Sequence, residues 1–400
     1  MGDWSATRWP VRAGVIAALA SVALLIQRAA IAGDRLAVGS QGSVIARFDL
    51  AVPLLIALVA LVAARRSLAG RTASGVGPRW IPATYIAWAM TIAFARAALH
   101  VQVSPRRLLT TLVLFRGTGT PLPGLGAGPL LLTLVLTVVL MPALVGLSRR
   151  MASPQQWIIP VALAVIAFAY RTICTASGHT GLFGPLSLLP NHLDLVGVGL
   201  AVALVDASVV QVQARRRLRL GGILVALVSF VLAAFAVGLP KSPFIASAAD
   251  VQVYALVAVT FAAGVLCGSC VLSPTFARRG APRLRTVMAI TAPGVLLAGE
   301  PAFTLVARQY HERVFEFDGG VFLHGNVVAP FIWSLALAAA FSIAIVAVVG
   351  AIDVARHGEW RAMMRSRLAL PAVVAMGFFV RIITLLTVLP ERTDNGDPLF

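Results

Sequence analysis

Charge is scarce in this chain, and negative charge is scarcest. Of 400 residues only 12% are charged, with 15 acids against 33 bases. A soluble globular chain is about a quarter charged and roughly half apolar. Here 59% of residues are hydrophobic and the mean hydropathy is +0.90. That excludes a soluble globular domain. Cysteine is rare too: Cys174, Cys267 and Cys270 are too few for a disulfide framework. The signatures of common enzymes are missing, with no HExxH, no Walker loop and no GxSxG. No metal-ligand cluster stands out, so no metal and no firm cofactor is implied. The net charge of +18 is not gathered into a basic patch with interleaved aromatics, which excludes nucleic acid as partner.

What is present is a series of apolar runs of about twenty residues, the length that crosses roughly 30 Å of hydrocarbon. Eleven are legible, at 13–33, 48–64, 80–99, 128–147, 156–173, 191–210, 219–240, 251–274, 286–307, 327–352 and 367–389. They are rich in Ala, Val and Leu without polar alternation, so helices fit and barrel strands do not. The expected fold is an all-α polytopic integral membrane protein. The stretch 107–115 is too short to span and reads as interfacial or re-entrant. The first run is long and lacks a small-residue cleavage pattern, so it reads as a retained span. Met1-Gly2 is not followed by Ser or Thr at position six, where Ala6 stands, which argues against myristoylation. Cys267 and Cys270 form a C-x-x-C within an apolar run and read as small packing residues on one helix face.

The loops set orientation. Alternate loops carry Arg65, Arg66, Arg71 and Arg79, then Arg149 and Arg150, then Arg215, Arg216, Arg217 and Arg219. Arg278, Arg279, Arg283 and Arg285 follow, then Arg356, Arg361, Arg365 and Arg367. The opposite set holds most acids, including Asp34, Asp250, Glu312, Glu316 and Asp318. The positive-inside rule puts the basic set in the cytoplasm. The expectation is an inner-membrane protein with its amino terminus in the cytoplasm and its carboxy terminus outside. Its partners are then the bilayer and anionic lipid headgroups.

Ionisable residues within spans are costly and therefore informative. Asp49 lies at the outer end of the second run and Arg96 near the outer end of the third. Asp206 lies near the inner end of the sixth, where its side chain can reach the interface. Glu300 and Arg381 lie nearer span centres. His192 and Asp194, in "LPNHLDLVGVGL", stand at the outer mouth of the sixth run. Residues two apart on a helix do not face each other, so they are not expected to form a dyad. Pro190 suits a first helical turn, and Asn191 or Asp194 suits the amino-terminal dipole.

Several segments in order resemble the membrane-bound acyltransferase-3 family. "RFDLAVPLLIALVALVAARRSLAG" is similar to its second-span block, with Arg47, Asp49 and Val52 matching. "RWIPATYIAW" resembles R-I-x-P-A-Y-W through Arg79, Pro82 and Ala83. "LPNHLDLVGVGLAVAL" matches L-P-A-H-L-D-L-F-A-x-G-M, and "PGVLLAGEPAFTLVARQ" keeps Glu300 and Pro301. The resemblance covers about residues 10–355 and implies a bundle of about ten helices, with one further helix after it. It also marks departures. Gln27 stands where the family has its first-span His, and Gln cannot shuttle a proton. Leu134 stands at the Glu of W-S-L-x-x-E, and Ala298-Gly299 at the W-H before Glu300. The tail at 356–400, ending "ERTDNGDPLF", resembles the start of a polyprenyl-phosphate-sugar-dependent membrane glycosyltransferase. Asp397, with Asp394 second, matches its outer acid.

These resemblances imply a scaffold kept after its chemistry was lost. The reading is a non-catalytic acyltransferase-like membrane module over 1–355, linked to cell-envelope glycan or lipid-linked sugar modification. Lipid-linked glycan and a glycosyltransferase are its implied partners. Two alternatives stay open. One is an active acyltransferase using acyl-CoA, with His192, Asp194 and Glu300 as catalytic groups and Arg47, Asp49 and Arg79 binding substrate. The other is a transporter or flippase leaning on Glu300 and Arg381.

Overall fold

The computed structural model describes residues 16–17, 19–20, 23–24, 47–68, 128–179, 186, 188–208, 212–236 and 248–270. All of them belong to one compact unit. They are helical, and no strand occurs among the described residues. A 3-10 turn at Arg47–Leu50 leads into α1 (Ala51–Leu68). Then come α2 (Gly128–Arg150), α3 (Ile158–Ala176), α4 (Leu193–Ser208), α5 (Val212–Val231) and α6 (Ala248–Cys270). Six of the eleven expected spans thus fall on described helices, and with their flanking turns all six are long and apolar enough to cross a bilayer. The first, 13–33, is described only at 16–17, 19–20 and 23–24, which are helical; those expected at 80–99, 286–307, 327–352 and 367–389 lie outside the described residues, as do 107–115 and the boundary at 355.

Burial sorts the helices into layers. In their apolar windows α1 is 72% buried and α4 is 56% buried, whereas α2, α3, α5 and α6 are each about a third buried or less. On α3 the buried residues Ile159, Leu163, Ala167 and Arg171 recur every fourth position. Such residues share one helix face. Its other face shows Val161, Val165, Ile166 and Phe168. On α5 the exposed side shows Leu220, Leu224, Leu227 and Val231. In water such surfaces would aggregate; against lipid tails they are solvated.

Lipid offers no hydrophobic drive between helices, so close backbone approach must hold them. Two crossings depend on glycine. At Gly199 of α4, an added Cβ would lie 2.5 Å from Ala60 Cβ and 2.6 Å from Ala57 O. α1 and α4 meet there and again at Arg65–Asp206, so they run parallel. The antiparallel pair α5–α6 uses small residues four apart on both sides. Gly222 and Ala226 meet Gly264 and Gly268, and a Cβ on Gly264 would sit 2.5 Å from Ala226 N. Ser229 Oγ donates to Thr260 Oγ1 at 3.0 Å further along, and Phe230 lies against Phe261.

Three local features differ from expectation. α5 begins at Val212 rather than 219, so Arg215, Arg216, Arg217 and Arg219 stand on its first two turns and not in a loop. Arginine is a good helix former, and its stem lets the helix run on past the hydrocarbon edge. α5 ends in a π turn, Leu232–Ala236, whose Ala233 packs with Leu50, Val257 and Ala258. α3 runs to Ala176 rather than 173 and is closed by Gly178 at φ 80°, with His179 N–H bonded to Cys174 O at 2.9 Å. That backbone conformation costs glycine least.

The polar residues gather at two ends. At one, Arg65 meets Asp206 at 2.7 Å, and Arg149 donates to the carbonyls of Ser67 and Leu68. The arginine turns of α5 follow directly after α4 there. The other end holds the start of α1, α4 and α6 and the last turns of α3.

Candidate functional site

The second end is built around Arg171. The four-residue recurrence on α3 carries this cation onto the packing face, where it is buried with Asp194. A buried charge must find partners. Arg171 Nη1 lies 2.8 Å from Asp194 Oδ2. The same nitrogen donates to Asn191 O at 2.8 Å, and Nε donates to Gln252 Oε1 at 3.2 Å. Gln252 on α6 returns its amide to Thr172 Oγ1 at 3.2 Å. One guanidinium thus ties α3 to the turn before α4, to α4 and to α6.

Asp194 is fully engaged. Its Oδ1 accepts the Leu195 N–H at 2.8 Å while Oδ2 takes Arg171. The acid therefore sits in the first turn of α4, as the helix dipole favours. Pro190 stands in the 3-10 turn Leu189–His192, which precedes α4. The turn has no side-chain cap; the Asn191 N–H closes on Leu188 O at 3.1 Å, and Asn191 Nδ2 donates to Leu186 O. Asn191 braces the turn from its side chain, while Asp194 bonds a neighbouring amide.

His192 is half-buried on the same turn and within electrostatic range of Arg171. The carboxylate of Asp194 is turned to Arg171 instead. A His needs an acceptor to orient it as general base. The nearest acid in the sequence is spent on another partner.

A second polar group stands at this end. The Tyr254 hydroxyl donates to Asp49, and Arg47 is buried close by. The other oxygen, Asp49 Oδ1, is buried and accepts no hydrogen bond among the described residues. Gln252 and Tyr254 lie two residues apart on α6, so one helix serves both groups.

Of the expected site residues, the structure brings His192, Asp194, Arg47 and Asp49 to one end of the bundle. Glu300, Arg79, Asp394 and Asp397 lie outside the described residues, as do Gln27 and Arg381. Asp206 pairs with Arg65 at the opposite end. Sequence reasoning missed Arg171, Gln252 and Tyr254. The fourfold recurrence from Ile159 was the signal for the first. Cys267 lies at the α5–α6 crossing, its Cβ 2.9 Å from where a Gly222 Cβ would stand. Among the described residues no three His, Cys, Asp or Glu side chains come together as a metal site would need. No protein-family model, no curated protein and no solved structure matches the chain.

Proposed function

We propose that the chain is a non-catalytic, acyltransferase-like membrane module serving the modification of cell-envelope glycan or lipid-linked sugar. The Arg171–Asp194 pair carries the reading. It spends the acid nearest His192 on a fastener between helices. That use agrees with the sequence departures at Gln27 and Leu134, where the resembled family has a His and a Glu. The module would sit in the inner membrane. The arginine-rich end, with Arg149, Arg150 and the first turns of α5, would face the cytoplasm by the positive-inside rule. The end holding Arg47, Asp49, Arg171 and Asp194 would then face outward, toward lipid-linked glycan or a glycosyltransferase.

The test is acyl transfer. Membranes containing the full chain, supplied with labelled acyl-CoA and an envelope glycan acceptor, are expected to transfer no more label than membranes without it. Transfer that disappears in His192→Ala would establish a working acyltransferase and overturn the proposal.

A further inference from the structure

The arginine-rich end has a feature that the acyltransferase-like reading does not use. A groove of about 580 Å³ opens between α5 and α6. Gln213 and Arg217 stand at its mouth, and Gly221, Val225, Gly264 and Cys267 line it further along. Its size falls within the roughly 300–1,000 Å³ of small-molecule sites. The groove exists because the crossing is made of glycine: Gly222 and Gly264 hold the backbones together and leave no side chains to fill the cleft. Gly221 beside them is exposed, and a Cβ there would meet nothing within 4 Å.

The chemistry changes along the groove. Arg217 is exposed at its mouth, where α5 leaves the apolar zone. Beyond Leu218 the lining becomes apolar. α5 carries Leu220 and Leu224 on its uncovered side, facing where lipid tails would lie. A cationic mouth above an apolar trough at the edge of a bilayer complements one kind of molecule. We infer that this groove binds an anionic phospholipid, its phosphate at Arg217 and Gln213 and one acyl chain laid along Gly221 toward Val225 and Cys267. The site stands apart from the Arg171 group, so it holds whether or not the module transfers acyl groups.

The experiment uses the full chain, purified in detergent, and a phosphatidylglycerol carrying a photoactivatable group on one acyl chain. Adducts are mapped by mass spectrometry and competed with unlabelled phosphatidylglycerol or phosphatidylcholine. Adducts are expected on the groove stretches of α5 and α6, displaced far better by the anionic lipid. Removing one interfacial cation in Arg217→Gln should weaken binding about fivefold. Gly221→Leu should fill the trough and abolish groove adducts without lowering the unfolding midpoint, since a Cβ there meets nothing within 4 Å. Equal displacement by phosphatidylcholine would overturn the proposal, since it marks ordinary lipid contact. So would groove labelling indifferent to Arg217→Gln, a test that does not depend on how Gly221→Leu folds. A groove that stays unlabelled while other lipid-facing helices are labelled would overturn it as well.

Discussion

Replacing Arg171 by Leu should be among the most damaging single changes in the described bundle, and adding a second change should repair it. Arg171 and Asp194 are both buried, and their closest atoms lie 2.8 Å apart. Arg171→Leu leaves a carboxylate among helices with no cation to meet it. Breaking one side of a buried pair costs ~3–5 kcal/mol. Asp194→Leu strands the guanidinium and should cost about as much. In Arg171→Leu/Asp194→Leu no charge remains. What is lost is then chiefly the two bonds from Arg171 to Asn191 and Gln252. Hydrogen bonds between membrane helices average ~0.6 kcal/mol each, so the double variant should lose only ~1–2 kcal/mol. Reversible unfolding in mixed micelles of increasing SDS would measure all three. The double variant is expected to be more stable than either single one, a large coupling in a double-mutant cycle. If the two single losses simply add, the pair does not meet within the membrane and the fastener is wrong.

Two further outcomes are expected. Gly199→Ala should destabilise by ~1–3 kcal/mol, because the new methyl meets Ala60 and the α1 backbone. Gly146→Ala, with nothing within 4 Å, should gain ~0.5–1 kcal/mol from helix propensity; equal signs for the two would refute the α1–α4 contact. In a variant lacking Cys174, Cys267 and Cys270, an impermeant maleimide on intact cells should label His179→Cys but spare Ala152→Cys until lysis. The reverse pattern would invert the orientation.

The described helices were legible because twenty apolar residues in a row admit few structures in a bilayer. Asp194 at the start of α4 was legible for a similarly local reason, since a helix end states its preference within one turn. Arg171 was not, because the apolar run appeared to end near it. Only its phase with Ile159, Leu163 and Ala167 shows that it points inward rather than toward the interface. Gln252 and Tyr254 are ordinary polar residues in sequence, and their partners lie some eighty and two hundred positions away. The α5–α6 crossing is legible in principle, as Gly264-x-x-x-Gly268 and Gly222-x-x-x-Ala226, small residues four apart that let two helix backbones approach. The start of α5 is not legible, because a run of arginines reads as loop where the helix in fact continues.

The parallel pairing of α1 with α4 also sets a timetable for biogenesis. Arg65 and Asp206 are 141 residues apart in the chain. At about 5–20 residues per second, α1 is in the bilayer for roughly 7–28 s before its partner is synthesised. During that interval α1, the most buried of the described helices, waits for α4. α5 and α6 face no such delay, being neighbours in sequence. The α1–α4 contact thus closes late, and the α5–α6 pair is ready early. Mutations at Gly199 should therefore expose the nascent protein to membrane quality control for longer than equivalent ones at Gly264.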